Sequence, residues 1–281
     1  MKQQPLGQAL LIIVLVVAVG LTIGIAAISR SVTNLRISTE QEESARAFSA
    51  AEAGIERTLT GVSVPPDLIE GFNLIVQEKS IGGEADFVFQ ETAVGDTKTL
   101  WLIGHDDSGE LDPNDLEEKY SANTIGVYWG KGGTAADQGT TPALEAVVLY
   151  KEGSDFKVKK FAIDPNTGRD NGFDDVDNSG GTELTFGGQT YTLQFYEGLS
   201  LPSGSGITNY ALRLKLIYNN DESHLLGIRG TEDLPLQGKC VESTATAEDS
   251  GITRKVEQCQ FYKTPPAIFD YVLYSEGSLA K

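Results

Sequence analysis

Residues 8–28 have the sequence QALLIIVLVVAVGLTIGIAAI, a long run of almost purely apolar side chains. No charged residue lies between Lys2 and Arg30. About 20 helical residues cross the roughly 30 Å hydrocarbon core of a bilayer, where lipid offers no partner to backbone N–H and C=O groups. The stretch therefore predicts a transmembrane helix.

The helical pattern continues beyond this apolar run. No proline occurs between Leu6 and Val64, whereas Gly61 and then Pro65 and Pro66 follow. Glycine and proline in this position predict the end of a helix. Before that end, apolar residues recur three and four positions apart, which is typical of one helix face: Ala45, Phe48, Ala51, Ile55 and Leu59. We expect a leader at 1–7 and one helix over 8–60, transmembrane at 8–29 and amphipathic at 30–60.

This beginning resembles the N-terminal signal of type IV pilins and type II secretion pseudopilins. A short basic leader ends at Gly7, the apolar helix follows at once, and residues 44–56 (SARAFSAAEAGIE) resemble a stretch of minor pilins. The resemblance implies that a prepilin peptidase cleaves after Gly7 and leaves Gln8 as the mature N-terminus. It covers roughly the first fifth of the chain, and the combination of these elements is more specific than any one of them.

Two positions depart from the pattern of main pilins. Main pilins usually begin with phenylalanine or methionine and carry a glutamate at the fifth mature position, whereas this chain has Gln8 and Ile12. In lacking this glutamate, the chain resembles minor subunits at a filament tip, which have no subunit above them. The resemblance therefore implies a minor, pilin-like subunit that contacts other subunits through its helix.

Two alternatives to a processed pilin helix remain open. A cleaved secretory signal usually has an apolar core of about 7–15 residues with a small-residue cleavage site after it, which this longer run does not match. A plain single-pass anchor carrying a surface adhesin or binding module is the second alternative. It predicts that Gly7 is not a processing site.

The charge balance excludes one class of function. The 281 residues include 40 acidic and 22 basic side chains, for a net charge of −18. Nucleic-acid binding leaves a basic patch or stripe in the sequence, and none is present. A strongly acidic surface favours solubility and suits an extracytoplasmic head over residues 62–281, so the expected location is the cytoplasmic membrane, and the cell surface after assembly.

The head has the sequence pattern of an antiparallel β domain, which makes the expected fold class α+β. Short alternating apolar runs lie between turns rich in the chain's 31 glycines, as in a sheet with one buried face. We expect the helix to pack on this head in an enlarged pilin-like fold, with extra hairpins or a second sheet. The predicted strands are 72–77, 86–90, 99–104, 124–129, 144–151, 157–163, 190–196, 210–218, 225–229, 239–247, 252–262 and 268–274.

The two cysteines flank a predicted hairpin. Alternating runs surround a turn at Asp249 and Ser250, and centring the hairpin there places Cys240 opposite Cys259. Opposed residues of this kind are close enough to form a disulfide, and an exported chain lies in a compartment where disulfides persist. The same register sets two glutamates opposite each other, so a shifted register remains an alternative, as do two free buried thiols.

The most site-like segment is the acidic stretch 164–178 (DPNTGRDNGFDDVDN). Carboxylates and amides interleaved with glycine are the ligands that Ca²⁺ prefers. The candidate ligands are Asp170, Asp174, Asp175 and Asp177, although their spacing does not match an EF-hand loop. We favour a solvated acidic loop over this calcium site, and no other cofactor is indicated.

Four residues of the helix are candidates for roles in assembly. Gly20 and Gly24 are four residues apart, which favours close helix–helix contact, a point of local melting, or ordinary tolerance of glycine in the membrane. Glu52 and Glu56 are like charges four apart, so we expect one of them to meet a basic group of the head or of a neighbouring subunit.

No catalytic motif is present in the sequence. The only histidines are His105 and His224, and neither belongs to a recognisable metal or nucleophile motif. We therefore expect a structural subunit and not an enzyme.

Overall fold

The computed structural model describes residues 6–106, 108–113 and 118–267. Residue contacts divide the chain into two compact units. The helix unit comprises the chain up to Lys79 together with Val241–Gln258. The sandwich unit comprises Ser80–Cys240 together with the chain from Cys259 onward.

The helix unit begins with one uninterrupted helix. Helix α1 spans Leu6–Leu59, 54 residues, which is about 81 Å at 1.5 Å per residue. Gly61, with φ of 73°, closes the helix in the left-handed conformation that glycine adopts without strain. The amide of Val62 donates to the carbonyl of Arg57 at 2.9 Å, which satisfies one of the last helical carbonyls. The helix therefore ends within one residue of the predicted boundary.

A three-stranded sheet accompanies the helix. Its order is β1-β11-β12, with β1 at Phe72–Gly82, β11 at Leu236–Ala247 and β12 at Thr253–Phe261. The tip between β11 and β12 is closed by hydrogen bonds from Ala247 N to Ile252 O and from Gly251 N to Ala247 O, both 2.9 Å. The hairpin predicted around the two cysteines is therefore present.

The sandwich unit contains two further sheets. One is five-stranded, in the order β2-β10-β4-β8-β7, and the other four-stranded, in the order β3-β9-β5-β6. Their strands pair antiparallel. The bounds are β2 Asp86–Thr92, β3 Thr97–Trp101, β4 Thr124–Lys131, β5 Ala143–Glu152, β6 Asp155–Ile163, β7 Thr182–Phe186, β8 Gln189–Ser200, β9 Ile207–Ile217 and β10 His224–Gly230.

Alternate residues of the two sheets form one core. Trp129 and Phe195 from the five-stranded sheet and Leu212 from the four-stranded sheet are fully buried in the same cluster. Strand β9 shows the alternation clearly, because Leu212, Leu214 and Leu216 enter the core while the residues between them face the other way. The sandwich is the second packed sheet that the number of predicted strands indicated.

The sequence pattern missed one strand and placed another outside the described residues. Strand β7 was not predicted, although Gly187 and Gly188, both with positive φ, join it to β8 in a two-residue turn that pairs Phe186 with Gln189. The strand predicted at 268–274 lies outside the residues that the structure describes.

Candidate functional site

The first half of α1 is an exposed apolar surface. The large hydrophobic residues from Leu11 to Ile37 are between 47 and 67% exposed. By length and composition this is the one helix among the described residues that could cross a membrane. A signal sequence near an N-terminus meets the same criteria. The predicted processing residues Gly7 and Gln8 lie in the first turns of this helix.

Gly20 and Gly24 lie in the exposed half of the helix. A Cβ atom built at either glycine meets nothing within 4 Å. No described neighbour in this chain therefore requires a glycine at either position. Close helix–helix contact at these residues stays a prediction that concerns other helices.

The second half of α1 lies against the three-stranded sheet through a face of small residues. This seating face comprises Ala47, Ala50, Ala51, Gly54 and Ile55, all of them buried. Its alanines share one cluster with Phe72 and Leu74 of β1 and Ala245 and Ala247 of β11. Small side chains allow the helix backbone to approach the sheet closely.

Gly54 is the tightest point of this contact. A Cβ atom at Gly54 would lie 2.5 Å from Ser243 Oγ of β11, a separation that real Cβ atoms essentially never show. It would also lie 3.1 Å from Val76 Cγ2 and 3.3 Å from Leu74 Cδ2 of β1. Ser243 is fully buried, and its Oγ has no hydrogen-bond partner among the described residues. Glycine at position 54 is thus required by the close approach of helix and sheet.

The apolar periodicity that predicted the helix does not coincide with the face that packs on the sheet. Ala45 is exposed and Phe48 is 44% exposed, while Ala47 and Ala50, which the pattern passed over, are fully buried. Periodicity identifies apolar positions of any size, and here it included the large side chain of Phe48. The face that packs on the sheet is instead made mostly of small side chains, and these allow the close approach seen at Gly54.

Glu52 and Glu56 are both exposed on the helix. Within the described residues of the helix unit, neither carboxylate makes a hydrogen bond or an ion pair. Arg254 of β12, a basic group that comes close to α1, donates instead from Nε to Ser44 Oγ at 2.8 Å. Pairing of either glutamate with a neighbouring subunit remains a prediction.

The hairpin register places Glu242 opposite Glu257, as the sequence anticipated, and two lysines offset the repulsion. The Nζ atoms of Lys79 and Lys255 lie 2.8 and 2.7 Å from Glu242 Oε2. Hydrogen bonds from Lys255 and Lys79 lower the pKa of the Glu242 carboxyl below its ordinary value. The unfavourable pair is thereby tolerated without a shift of register.

Cys240 and Cys259 form the predicted disulfide, and no described cysteine is free. Seven residues along each strand, Ala247 N donates to Ile252 O, so bridge and hairpin share one register. The bond closes a loop with a sequence separation of 19. It fixes the base of the β11–β12 hairpin, whose tip lies beside the helix in the helix unit.

The acidic segment 164–178 is organised around an ion pair. Asp164 is 3% exposed and accepts from Arg169 Nη1 and from Asn171 Nδ2, both at 2.7 Å. The second terminal guanidinium nitrogen, Nη2, donates to three backbone carbonyls of one neighbouring loop, those of Gln138, Gly139 and Thr141. A guanidinium therefore occupies the centre of this loop and satisfies its buried carboxylate.

The four candidate calcium ligands do not converge in this loop. Asp170, Asp174, Asp175 and Asp177 are all exposed. Among the described residues, no group of three or more potential metal ligands includes any of them. Asp177 Oδ2 instead accepts from Gly198 N at 3.0 Å. Calcium binding by these four residues stays a prediction.

The two histidines have structural surroundings. His224 is 2% exposed and its Nδ1 accepts from Lys131 N at 3.3 Å, while the His105 ring stacks on Tyr262 at 3.8 Å. Burial lowers the pKa of both imidazoles below the ordinary value. Neither contact places a histidine beside a nucleophilic side chain.

Comparisons with protein-family models, with curated proteins and with solved structures give no match for this chain.

Proposed function

We propose that this protein is a structural, pilin-like subunit of a type IV pilus or related filament, inserted in the membrane and assembled through α1. The observation that carries the proposal is the division of one continuous helix into two chemically different halves. The first half exposes apolar side chains on all sides, and the second is seated on the sheet through alanine and glycine. This arrangement is expected of a helix whose second half is fixed on its own sheet and whose first half is buried in lipid or among the helices of other subunits.

The assembly step follows from the chemistry of the exposed half. In the membrane, the exposed apolar side chains lie in lipid, which is as apolar as they are. Transfer into a filament core is feasible when neighbouring helices are equally apolar. Small residues such as Gly20 and Gly24 then allow backbones to approach closely.

The second half of α1 fixes the orientation of the three-stranded sheet about the helix axis. Ala50, Ala51 and Ile55 are no more than 3% exposed, so the helix cannot rotate there without exposing apolar surface. Each subunit brought into register through the exposed half therefore carries its three-stranded sheet in one fixed orientation about the helix axis.

The first experiment is the mass and N-terminal sequence of the protein from its native membranes or shed filaments. The proposal predicts a mature chain that starts at Gln8. The variant Gly7→Leu should remain uncleaved, while the matched control Gly20→Leu should be cleaved as in the wild type. An intact Met1 in the wild type, or cleavage beyond Ile28, would instead favour an anchored adhesin or a secretory signal.

The exposed glutamates give an independent test of assembly. Glu52→Gln and Glu56→Gln remove the charge and keep the size of each side chain. If one carboxylate meets a basic group of a neighbouring subunit, one variant should reduce the filament yield without loss of membrane insertion. Unchanged assembly in both variants would remove that role.

A further inference from the structure

A cleft lies between α1 and the tip of the β11–β12 hairpin, entirely within the helix unit. It has a volume of about 690 Å³. Arg36 and Glu43 of the helix line one side, and Ser250 and Arg254 of the hairpin line the other. Arg254 is held against the helix, because its Nε donates to Ser44 Oγ at 2.8 Å. We call this space the tip cleft.

The two arginines of the tip cleft keep their terminal nitrogens available. Arg36 makes its contact through Nε, which donates to Glu40 Oε1 at 3.0 Å. Arg254 likewise engages through Nε, so neither arginine uses an Nη atom within the described residues of the helix unit. Paired guanidinium N–H donors match the oxygens of a phosphate. The tip cleft can therefore hold a phosphate by two cations.

Two carboxylates balance the charge of these arginines. Glu43 is half-buried and makes no hydrogen bond or ion pair in the part of the helix unit that the structure describes. Glu40 pairs with Arg36 through one oxygen, Oε1. Two arginines and two glutamates together suit a ligand that carries both a negative and a positive charge.

The lining also selects the kind of positive group. A quaternary ammonium is typically held by aromatic rings, and none of the residues that line the tip cleft is aromatic. A primary ammonium instead offers three N–H donors, which carboxylate and hydroxyl oxygens accept. Glu43 and Ser250 supply such oxygens. The ligand expected from this chemistry is a phosphate ester with a primary ammonium close to it.

The helix face that lines the tip cleft continues as an apolar stripe toward the N-terminus. Side chains three and four residues apart share one helix face. Counting back in such steps from Thr39, which lines the cleft, gives Leu35, Val32 and Ile28. Each of these three residues of the apolar stripe is at least 60% exposed. A hydrocarbon chain can therefore lie along the stripe while its polar head enters the cleft.

We propose that the tip cleft binds the headgroup of a phospholipid that carries a primary ammonium, as phosphatidylethanolamine does. Its phosphate meets Arg36 and Arg254, its ammonium meets Glu43, and its acyl chains follow the apolar stripe. This inference rests on the membrane insertion of α1 in the proposed function. It adds a specific lipid that holds the helix unit at the membrane surface.

Lipid retention by the full-length chain in mild detergent tests the proposal. Phosphatidylethanolamine, phosphatidylcholine and phosphatidylglycerol are added in equal amounts, and native mass spectrometry counts the lipids that stay bound. We expect phosphatidylethanolamine to be retained about tenfold over the other two, because it alone combines a phosphate with an ammonium that donates hydrogen bonds. Equal retention of the three lipids would overturn the proposal.

Two variants test the two charges of the headgroup separately. Arg254→Gln removes a phosphate ligand and should lower retention of phosphatidylethanolamine about tenfold. Glu43→Gln should abolish the preference for phosphatidylethanolamine over phosphatidylcholine. The matched control is Lys255→Gln, which removes a cation from the next residue of β12 on the opposite sheet face and should leave retention unchanged. Wild-type retention and preference in both Arg254→Gln and Glu43→Gln would contradict the assignment.

A third variant distinguishes a lipid from a soluble ester of the same chemistry. Val32→Ser removes apolar contact with the acyl chains and should lower lipid retention about fivefold. Displacement of the lipid by an equal concentration of soluble O-phosphoethanolamine, with no effect of Val32→Ser, would assign the tip cleft to a soluble ester and overturn the proposal. A chain that is anchored but never cleaved after Gly7 retains the same lipid, so failure of the filament assignment and failure of the lipid site are distinguishable.

Discussion

Substitution of Gly54 tests how α1 is seated. On an exposed helix, Gly→Ala stabilises by about 1 kcal/mol, because alanine loses less backbone entropy. At Gly54 the added Cβ would lie 2.5 Å from Ser243 Oγ, and overpacking of this kind costs about 1–3 kcal/mol. The net effect expected for Gly54→Ala is therefore a loss of about 0–2 kcal/mol.

Ser243→Ala provides the matched partner for a double-mutant cycle. It removes the one atom closer than 3.0 Å and a buried hydroxyl that has no hydrogen-bond partner among the described residues. The remaining contacts, 3.1 Å to Val76 and 3.3 Å to Leu74, involve the ends of side chains that can shift by a few tenths of an ångström. The double variant with Gly54→Ala and Ser243→Ala should then gain the stability that alanine gives over glycine in a helix. It should be as stable as the wild type or more stable by about 1 kcal/mol.

Hydrogen exchange of the helix amides measures this effect locally. Amides of Ala50–Ile55 should exchange up to about 30-fold faster in Gly54→Ala and should be at least as protected as the wild type in the double variant. The pair should couple by about 1–3 kcal/mol. Additive effects, within about 0.5 kcal/mol, would refute a direct contact of residue 54 with Ser243.

Three further predictions concern the ion pair, a histidine and the disulfide. Arg169→Met leaves the Asp164 carboxylate buried without its cation and should cost about 3–5 kcal/mol in denaturant unfolding; a loss under 1 kcal/mol would contradict the ion-pair role. Burial lowers the pKa of His224, so the unfolded chain binds the proton first and stability should fall as pH drops below about 6.5. His224→Gln should flatten that decline in a pH series of thermal melts, and an unchanged slope would argue against it. Replacing Cys240 and Cys259 by serine should lower stability by about 3 kcal/mol, and insensitivity of the wild-type melting temperature to reductant would contradict this.

The sequence predicted individual elements well where a strong local signal was present. The end of α1 followed from Gly61, and the disulfide followed from a hairpin centred on Asp249 and Ser250. Strand β7 had a usable signal that was missed, since Gly187 and Gly188 between two alternating runs favour a tight hairpin. These features depend on residues close together in the chain.

The seating of the helix could not be predicted in the same way. Phe48 is the largest apolar side chain in the second half of α1, yet it is 44% exposed. The buried choice depends on the surface that β1 and β11 present, and β11 is formed by residues far along the chain. The ion pair of Asp164 with Arg169 was also missed, because an arginine among aspartates resembles any charged loop until burial is known.

The helix unit packs together segments that are synthesised at very different times. Gly54 leaves the ribosome early, but Ser243, against which it packs, follows nearly 200 residues later, a delay of about 10–40 s at 5–20 residues per second. During that interval the seating face has no sheet on which to pack. Four of the five residues of the seating face are alanine or glycine, so the unfinished chain exposes less apolar area there than a face of large side chains would. The small residues that permit close packing in the finished protein thus also limit the apolar surface that its unfinished form presents.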